Sequence, residues 1–151
     1  GGSEFRKFVH LFARQTARAQ RRQQVIPYLM AAHPGSRLED MLDTALFLAE
    51  EGIVSEQCQI FTPTPGTAST VMYATGIDPA TGDPVFVERS DHGKRLQKAL
   101  LLAHLPEQRP LVRQALRQLS REDALPGIMK KTSTQPDKAK SRKQNRRKRI
   151  R

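Results

Sequence analysis

The residues best placed to do chemistry sit in two short loops. His33 ends the apolar run Val25-Ile26-Pro27-Tyr28-Leu29-Met30-Ala31-Ala32 and opens the turn His33-Pro34-Gly35-Ser36. Imidazole titrates near neutrality, so a histidine at the end of a strand can act as acid or base. It can equally serve as a turn residue capping the helix that follows. The second loop, Phe61-Thr62-Pro63-Thr64-Pro65-Gly66-Thr67, ends another short apolar segment. Both loops stand where parallel strands of α/β sheets and barrels present ligands, at their C-terminal ends. A strand-Pro-Gly-helix junction is also a plain tight turn. Cys58 is the single cysteine, so it has no partner for a disulfide or a thiolate metal motif, and it reads as a buried structural thiol. His10, His92 and His104 have no convergent partners in sequence. The pairs Glu39-Asp40 and Glu50-Glu51 read as helix-end and solvated charges.

A third feature is electrostatic. Of the 26 Lys and Arg and 15 Asp and Glu in the 151 residues, 11 basic side chains and one acid, Asp137, fall between Lys130 and Arg151. The other 129 residues therefore hold 15 basic and 14 acidic groups, so the body is near neutral. Arg142, Lys143, Arg146, Arg147, Lys148 and Arg149 form a footprint for polyanions, with RNA as the candidate partner. No aromatic residue is interleaved there to stack on bases, so such binding is expected to ignore sequence and to fall with salt. The lone cysteine points to a reducing, cytoplasmic setting. No apolar run approaches the roughly 18 residues of a membrane span, and no hydrophobic signal core opens the chain.

These residues need elements to hold them. Phe5, Phe8, Val9 and Phe12 recur at helical spacing, with Ser3 ahead as a candidate cap, and predict a helix over about 4–21. The run from Val25 lacks polar alternation, which suits a strand buried on both faces and starting after Pro27. Ser36 and Glu39 read as a capping box. Leu38, Met41, Leu42, Ala45, Leu48 and Ala49 then share one helical face, with Gly52 as the stop. Residues 57–61 predict a second strand, ended by the two prolines. Strand, helix, strand is a βαβ unit, whose strands pair in parallel. Turn chemistry and one extended segment, Val85-Phe86-Val87, follow. Helices are then expected around Leu96, Ala99, Leu100 and Ala103, and around Leu111, Val112, Ala115, Leu116 and Leu119. From Thr132 onward the composition predicts disorder. The fold class expected is thus α/β: an incomplete parallel βαβ unit in residues 1–68, a mainly helical extension in 69–129, and a disordered basic tail in 130–151.

The order of these pieces resembles the last two strands of the partial TIM-like barrel of radical SAM enzymes, and more closely the YgiQ-type radical SAM proteins. The resemblance rests on Val25-Ile26-Pro27-Tyr28, His33-Pro34-Gly35, Leu38-Glu39-Asp40-Met41 and Gln59-Ile60-Phe61-Thr62-Pro63-Thr64-Pro65-Gly66-Thr67. It continues through Met72-Tyr73-Ala74-Thr75-Gly76-Ile77-Asp78-Pro79, Pro84-Val85-Phe86-Val87, Lys94-Arg95-Leu96-Gln97-Lys98-Ala99-Leu100 and Arg121-Glu122-Asp123-Ala124-Leu125. It implies that the chain is the C-terminal part of an iron-sulfur enzyme that binds a [4Fe-4S] cluster and S-adenosylmethionine. The Cys-x3-Cys-x2-Cys loop of that family is absent, so the piece would not be catalytic by itself and would pack against the remainder of its parent chain. Met30, Phe61 and Thr62 are the positions that the resemblance places near the adenine. The rival expectation is an RNA-binding module acting through the basic tail.

Overall fold

The structure, a computed structural model, describes residues 2–21 and 23–129. The basic tail therefore lies outside the described residues, and with it the expectation of disorder and the six candidate polyanion contacts.

Helices dominate. The first, α1 (Gly2–Arg18), carries Phe5, Phe8 and Phe12 along one side. Helix α1 begins before Ser3 and ends before the predicted limit at residue 21. A short strand β1 (Leu29–Ala31) leads through the first loop to α2 (Leu38–Glu50), and strand β2 (Cys58–Ile60) follows. Helix α3 (Ala68–Thr75) comes next, then an irregular strap over 76–90. Helices α4 (Asp91–Leu101) and α5 (Arg109–Gln118) follow, and α6 (Leu125–Ile128) closes the described chain.

Local chemistry explains the boundaries. Helix α2 starts one residue later than the Ser36 box suggests. Arg37 holds the N-cap position, and the Asp40 carboxylate accepts from the Arg37 N–H at 2.7 Å. This is the reciprocal half of a capping box, carried by Asp40 rather than Glu39. At the other end Gly52 takes φ 68° and the Ile53 N–H bonds the Leu48 carbonyl at 2.9 Å, a left-handed stop. Helix α3 is capped by Thr67, whose hydroxyl accepts from the Thr70 N–H at 3.2 Å. Gly76 ends it at φ 71°.

β1 and β2 pair in parallel, with Leu29 opposite Cys58, Met30 opposite Gln59 and Ala31 opposite Ile60. Among the described residues the sheet has these two strands and no third. The expected fold class, an incomplete βαβ unit belonging to a radical SAM TIM-like barrel, is corrected here. The strands are three residues long, they form an open pair, and most of the buried surface is helix against helix. Residues 25–28 lie outside the sheet. Val85-Phe86-Val87 forms no strand; Pro84 makes a lone antiparallel bridge to Ile77.

One core joins the pieces. Met41, Leu42 and Ala45 of α2 meet Leu96, Ala99 and Leu100 of α4, Val112, Ala115 and Leu116 of α5, and Ile128 of α6. Ala31 and Cys58 add the helix-facing side of the sheet. Leu42, Leu96, Leu100, Val112 and Leu116 are fully buried, and burying each such side chain contributes about 1.5–3 kcal/mol. Helix α1 sits outside this core, against the outer side of α2. Phe5 lies 6.0 Å from Phe47 between ring centroids. Glu51, its side chain 6% exposed, accepts from Arg6 Nε at 2.6 Å and lies 3.1 Å from His10 Nε2.

Candidate functional site

The two loops singled out in the sequence come together at the strand ends. β1 leaves the sheet through Ala32, which adopts the left-handed φ of 57° while 1% exposed. Its N–H donates to Gln97 Oε1 at 2.8 Å, and Gln97 Nε2 donates to the Ser36 carbonyl at 3.2 Å. Gln97 projects from α4 and is itself 1% exposed, so one buried amide spans both ends of the His33-Pro34-Gly35 turn. Gly35 takes φ 91° and its N–H bonds the Phe86 carbonyl at 2.8 Å, fastening the turn to the strap. Arg37 lies over the Phe86 ring at 4.6 Å.

His33 is half-buried between the loops. Its Nδ1 is 2.8 Å from the Pro34 carbonyl and its Nε2 is 2.9 Å from Ser69 Oγ, in the first turn of α3. A carbonyl only accepts, so Nδ1 carries the proton in the neutral ring and Nε2 accepts from the Ser69 hydroxyl. The His33 ring meets Phe61 edge-on at 5.1 Å, and Phe61 packs on Tyr73 at 5.7 Å. Arg89 and Lys94 approach the Tyr73 ring at 5.4 and 5.6 Å. Lys94 Nζ reaches the Tyr73 hydroxyl at 3.3 Å, and Arg89 donates to the Tyr73 carbonyl at 2.8 Å. An imidazole-hydroxyl pair of this geometry can move a proton, but its near atoms are all engaged in tying β1, β2, α3 and the strap together. Ser69, Tyr73, Arg89, Lys94 and Gln97 were not singled out from the sequence. A glutamine on the apolar face of Leu96, Ala99 and Leu100 was the one signal available.

The remaining sequence candidates fall as follows. Met30 is half-buried on the side of the sheet away from the core. Phe61 belongs to the aromatic cluster. Thr62 is exposed, with its hydroxyl 3.4 Å from the Ile60 carbonyl. Cys58 is buried, and burial pushes its thiol above the ordinary value, against the charge of Lys98 and a hydrogen bond to the Ala31 backbone. Burial holds His104 below the ordinary imidazole value, with Glu107 pulling the other way. Among the described residues no group of three or more His, Cys, Asp or Glu could hold a metal ion. None of their helices is long and apolar enough to cross a membrane. An open cavity of about 980 Å³ lies far from the strand ends, beside α1, between Arg6, His10, Leu11, Arg14 and Phe47.

Comparison with known proteins places the chain. It is 55% identical over 122 residues to a UPF0313 protein of Geobacter sulfurreducens, a match covering 81% of this chain and 20% of that protein. It is 42% identical over 124 residues to a UPF0313 protein of Clostridium perfringens, covering 82% and 19%. A UPF0313 protein of Methanosarcina acetivorans is 40% identical over 123 residues, covering 82% and 17%. The chain thus spans about a fifth of the length of the curated relatives it matches. No solved structure matches. The expected radical SAM, iron-sulfur identity is corrected by these findings: the relatives are named UPF0313 proteins, and the described residues carry no metal-binding cluster. The [4Fe-4S] cluster and S-adenosylmethionine go with it; the adenine role of Met30, Phe61 and Thr62 was drawn from that resemblance alone. A domain of unknown function, DUF3362, matches residues 56–151, and the chain belongs to that family.

Proposed function

We propose that the chain is a packing module of a longer protein, docking on the remainder of that protein through the uncovered face of its sheet. The observation that carries this is the one-sided cover of β1 and β2. Ala31 and Cys58 point into the helical core and are 0% and 6% exposed. On the other face stand Met30, Gln59 and Tyr28, the last 70% exposed and bonded to Gln59 Oε1 at 2.7 Å. Parallel strands are ordinarily covered on both faces, and each strand here pairs along one side only. Curated relatives about five times as long supply the chain that could cover it. In this reading the cluster around His33 fastens the docking face and performs no reaction, and the single buried thiol suits a cytoplasmic protein.

The test uses the Geobacter sulfurreducens relative with the matching segment deleted. Co-expressed with this chain, it is expected to co-purify, and Met30→Asp is expected to reduce recovery at least tenfold while leaving the circular dichroism of the chain unchanged. Failure of the unsubstituted chain to co-purify, or equal recovery of the variant, rejects the reading.

A second reading is favoured by the separate basic block at 130–151: contact with RNA through Arg142, Lys143, Arg146, Arg147, Lys148 and Arg149. Replacing these six with glutamine is expected to weaken RNA binding and flatten its salt dependence. An unchanged slope rejects it.

A further inference from the structure

We infer that α5 presents a second, folded binding surface for the phosphate backbone of a nucleic acid, built from Arg109, Arg113 and Arg117. It extends the polyanion reading of the tail but stands on different residues. The three side chains recur at i, i+4 and i+8, so they line one side of the helix about 6 Å apart. All three residues are exposed. Arg121 continues the row just beyond the helix end, although its Nε is 3.2 Å from Asp123.

The charge arrangement is a poor one for the helix itself. Like charges at i, i+4 repel, and exposed helix faces ordinarily alternate Glu with Lys or Arg at that spacing. Arg109 opens α5, where the helix dipole disfavours a cation, and no acidic residue stands in that first turn. Among the described residues none of Arg109, Arg113 and Arg117 forms an ion pair within 4 Å. Arg113 and Arg117 border a cleft of about 300 Å³, with Leu116, Leu125 and Glu122 on its other walls. The row is thus cationic, with no ion pair on Arg109, Arg113 or Arg117 among the described residues, and it borders a groove that also holds Glu122.

The residue types choose the partner. Three guanidinium groups offer forked donors matched to phosphate oxygens. The other exposed positions of α5 are Pro110, Gln114 and Gln118, so nothing apolar is available to enter a bilayer and no aromatic to stack on a base. Recognition is therefore of the phosphates, without regard to base. The turn at Glu122–Ala124 touches both α5 and α6, α6 itself packs on α2, and in sequence the basic run begins at Lys130, two residues after α6 ends.

The experiment uses the full 151-residue chain and fluorescence anisotropy with a labelled uridine homopolymer, at about 50 to 200 mM salt. A thymidine homopolymer and vesicles of phosphatidylcholine with phosphatidylserine form parallel arms. In the double variant Arg113→Gln, Arg117→Gln, the slope of log K against log salt is expected to fall by about 1.4, two single-strand phosphate contacts at about 0.7 each. Its melting temperature should be unchanged or higher, since repulsion is removed. The six-residue tail variant should keep a slope of about 2 from the three arginines of α5. The two homopolymers should bind alike within a few-fold. An unchanged slope in the double variant, or loss of all binding in the tail variant, overturns the inference and leaves the tail reading standing. A flattened slope in the double variant with an unaffected tail variant supports it and rejects the tail reading. Binding to the vesicles without binding to either homopolymer overturns it in favour of a membrane surface.

Discussion

Replacing Gln97 with leucine should uncouple the helical core from the loop that carries His33. The substitution nearly conserves volume and suits the apolar face of α4, so packing changes little. What it removes is the acceptor for the Ala32 N–H and the donor to the Ser36 carbonyl. Ala32 is 1% exposed, so its N–H cannot turn to water. An unsatisfied buried donor costs about 1–3 kcal/mol. Ser36 is half-buried and its carbonyl can be rehydrated, which adds little. For a chain of this size each kcal/mol lowers the melting temperature by about 4 °C, so a drop of about 4–12 °C is expected. Differential scanning calorimetry measures it. Amide exchange should localise the loss, with Gly35 exposed to solvent sooner than the amides of α5. A companion variant, Gln97→Glu, keeps an acceptor but buries a carboxylate. Burial raises the folded pKa of the introduced carboxyl, so that variant should gain stability as pH falls and lose it as pH rises through that value. A Gln97→Leu melting point within about 2 °C of the unsubstituted chain would refute the reasoning.

Other expectations concern single groups. His104 has a folded pKa below its unfolded one, so the unfolded state takes up its proton first; stability is full above about pH 6.5 and falls as pH drops through the folded value. Urea titrations at a series of pH values should show a shallower acid-side loss in His104→Asn, and an identical profile would exclude His104 as the source. The Cys58 thiol, buried and raised in pKa, should react with a disulfide reagent at pH 8 at least tenfold more slowly than in denaturant. Comparable rates would mean that β2 opens readily. Thr67→Ala removes the cap of α3 and should cost about 1 kcal/mol, whereas Thr67→Ser should cost much less; equal melting points for the two would assign the effect to the lost methyl.

Much of the helical core was legible because it is periodic. Leu38, Met41, Leu42, Ala45 and Leu48 announce α2, and the apolar stripes of α4 and α5 do the same. The parallel pairing also followed from the order of strand, helix and strand. Helix α3 was hidden by its composition: Ser69, Thr70, Val71 and Thr75 are weak helix formers, and the Thr67 cap follows directly on two prolines and a glycine. Each strand is one residue shorter at both ends than the sequence suggested: β1 leaves out Tyr28 and Ala32, where the backbone turns left-handed, and β2 leaves out Gln57 and Phe61. The barrel came from a resemblance running from the first helix to about residue 127, and two strands of three residues in an open pair do not make one. At the candidate site His33 and Phe61 were visible because turns advertise themselves. Ser69, Tyr73, Arg89 and Lys94 were not, since they reach the strand ends only through tertiary packing, 36 residues away in the case of Ser69.

Three paired residues are a short ladder for holding a register, and the small side chains beneath α4 supply what the ladder lacks. Sliding β1 by one position would bring Met30 to the place of Ala31, which is 0% exposed. Ala31 is fully buried in the core shared with α4, and forcing a longer side chain into a packed position of this kind costs about 1–3 kcal/mol. The helix thus acts as a calliper on the sheet. It favours the alignment that puts Ala31 and Cys58 inward over the slip that would carry Met30 beneath the helix.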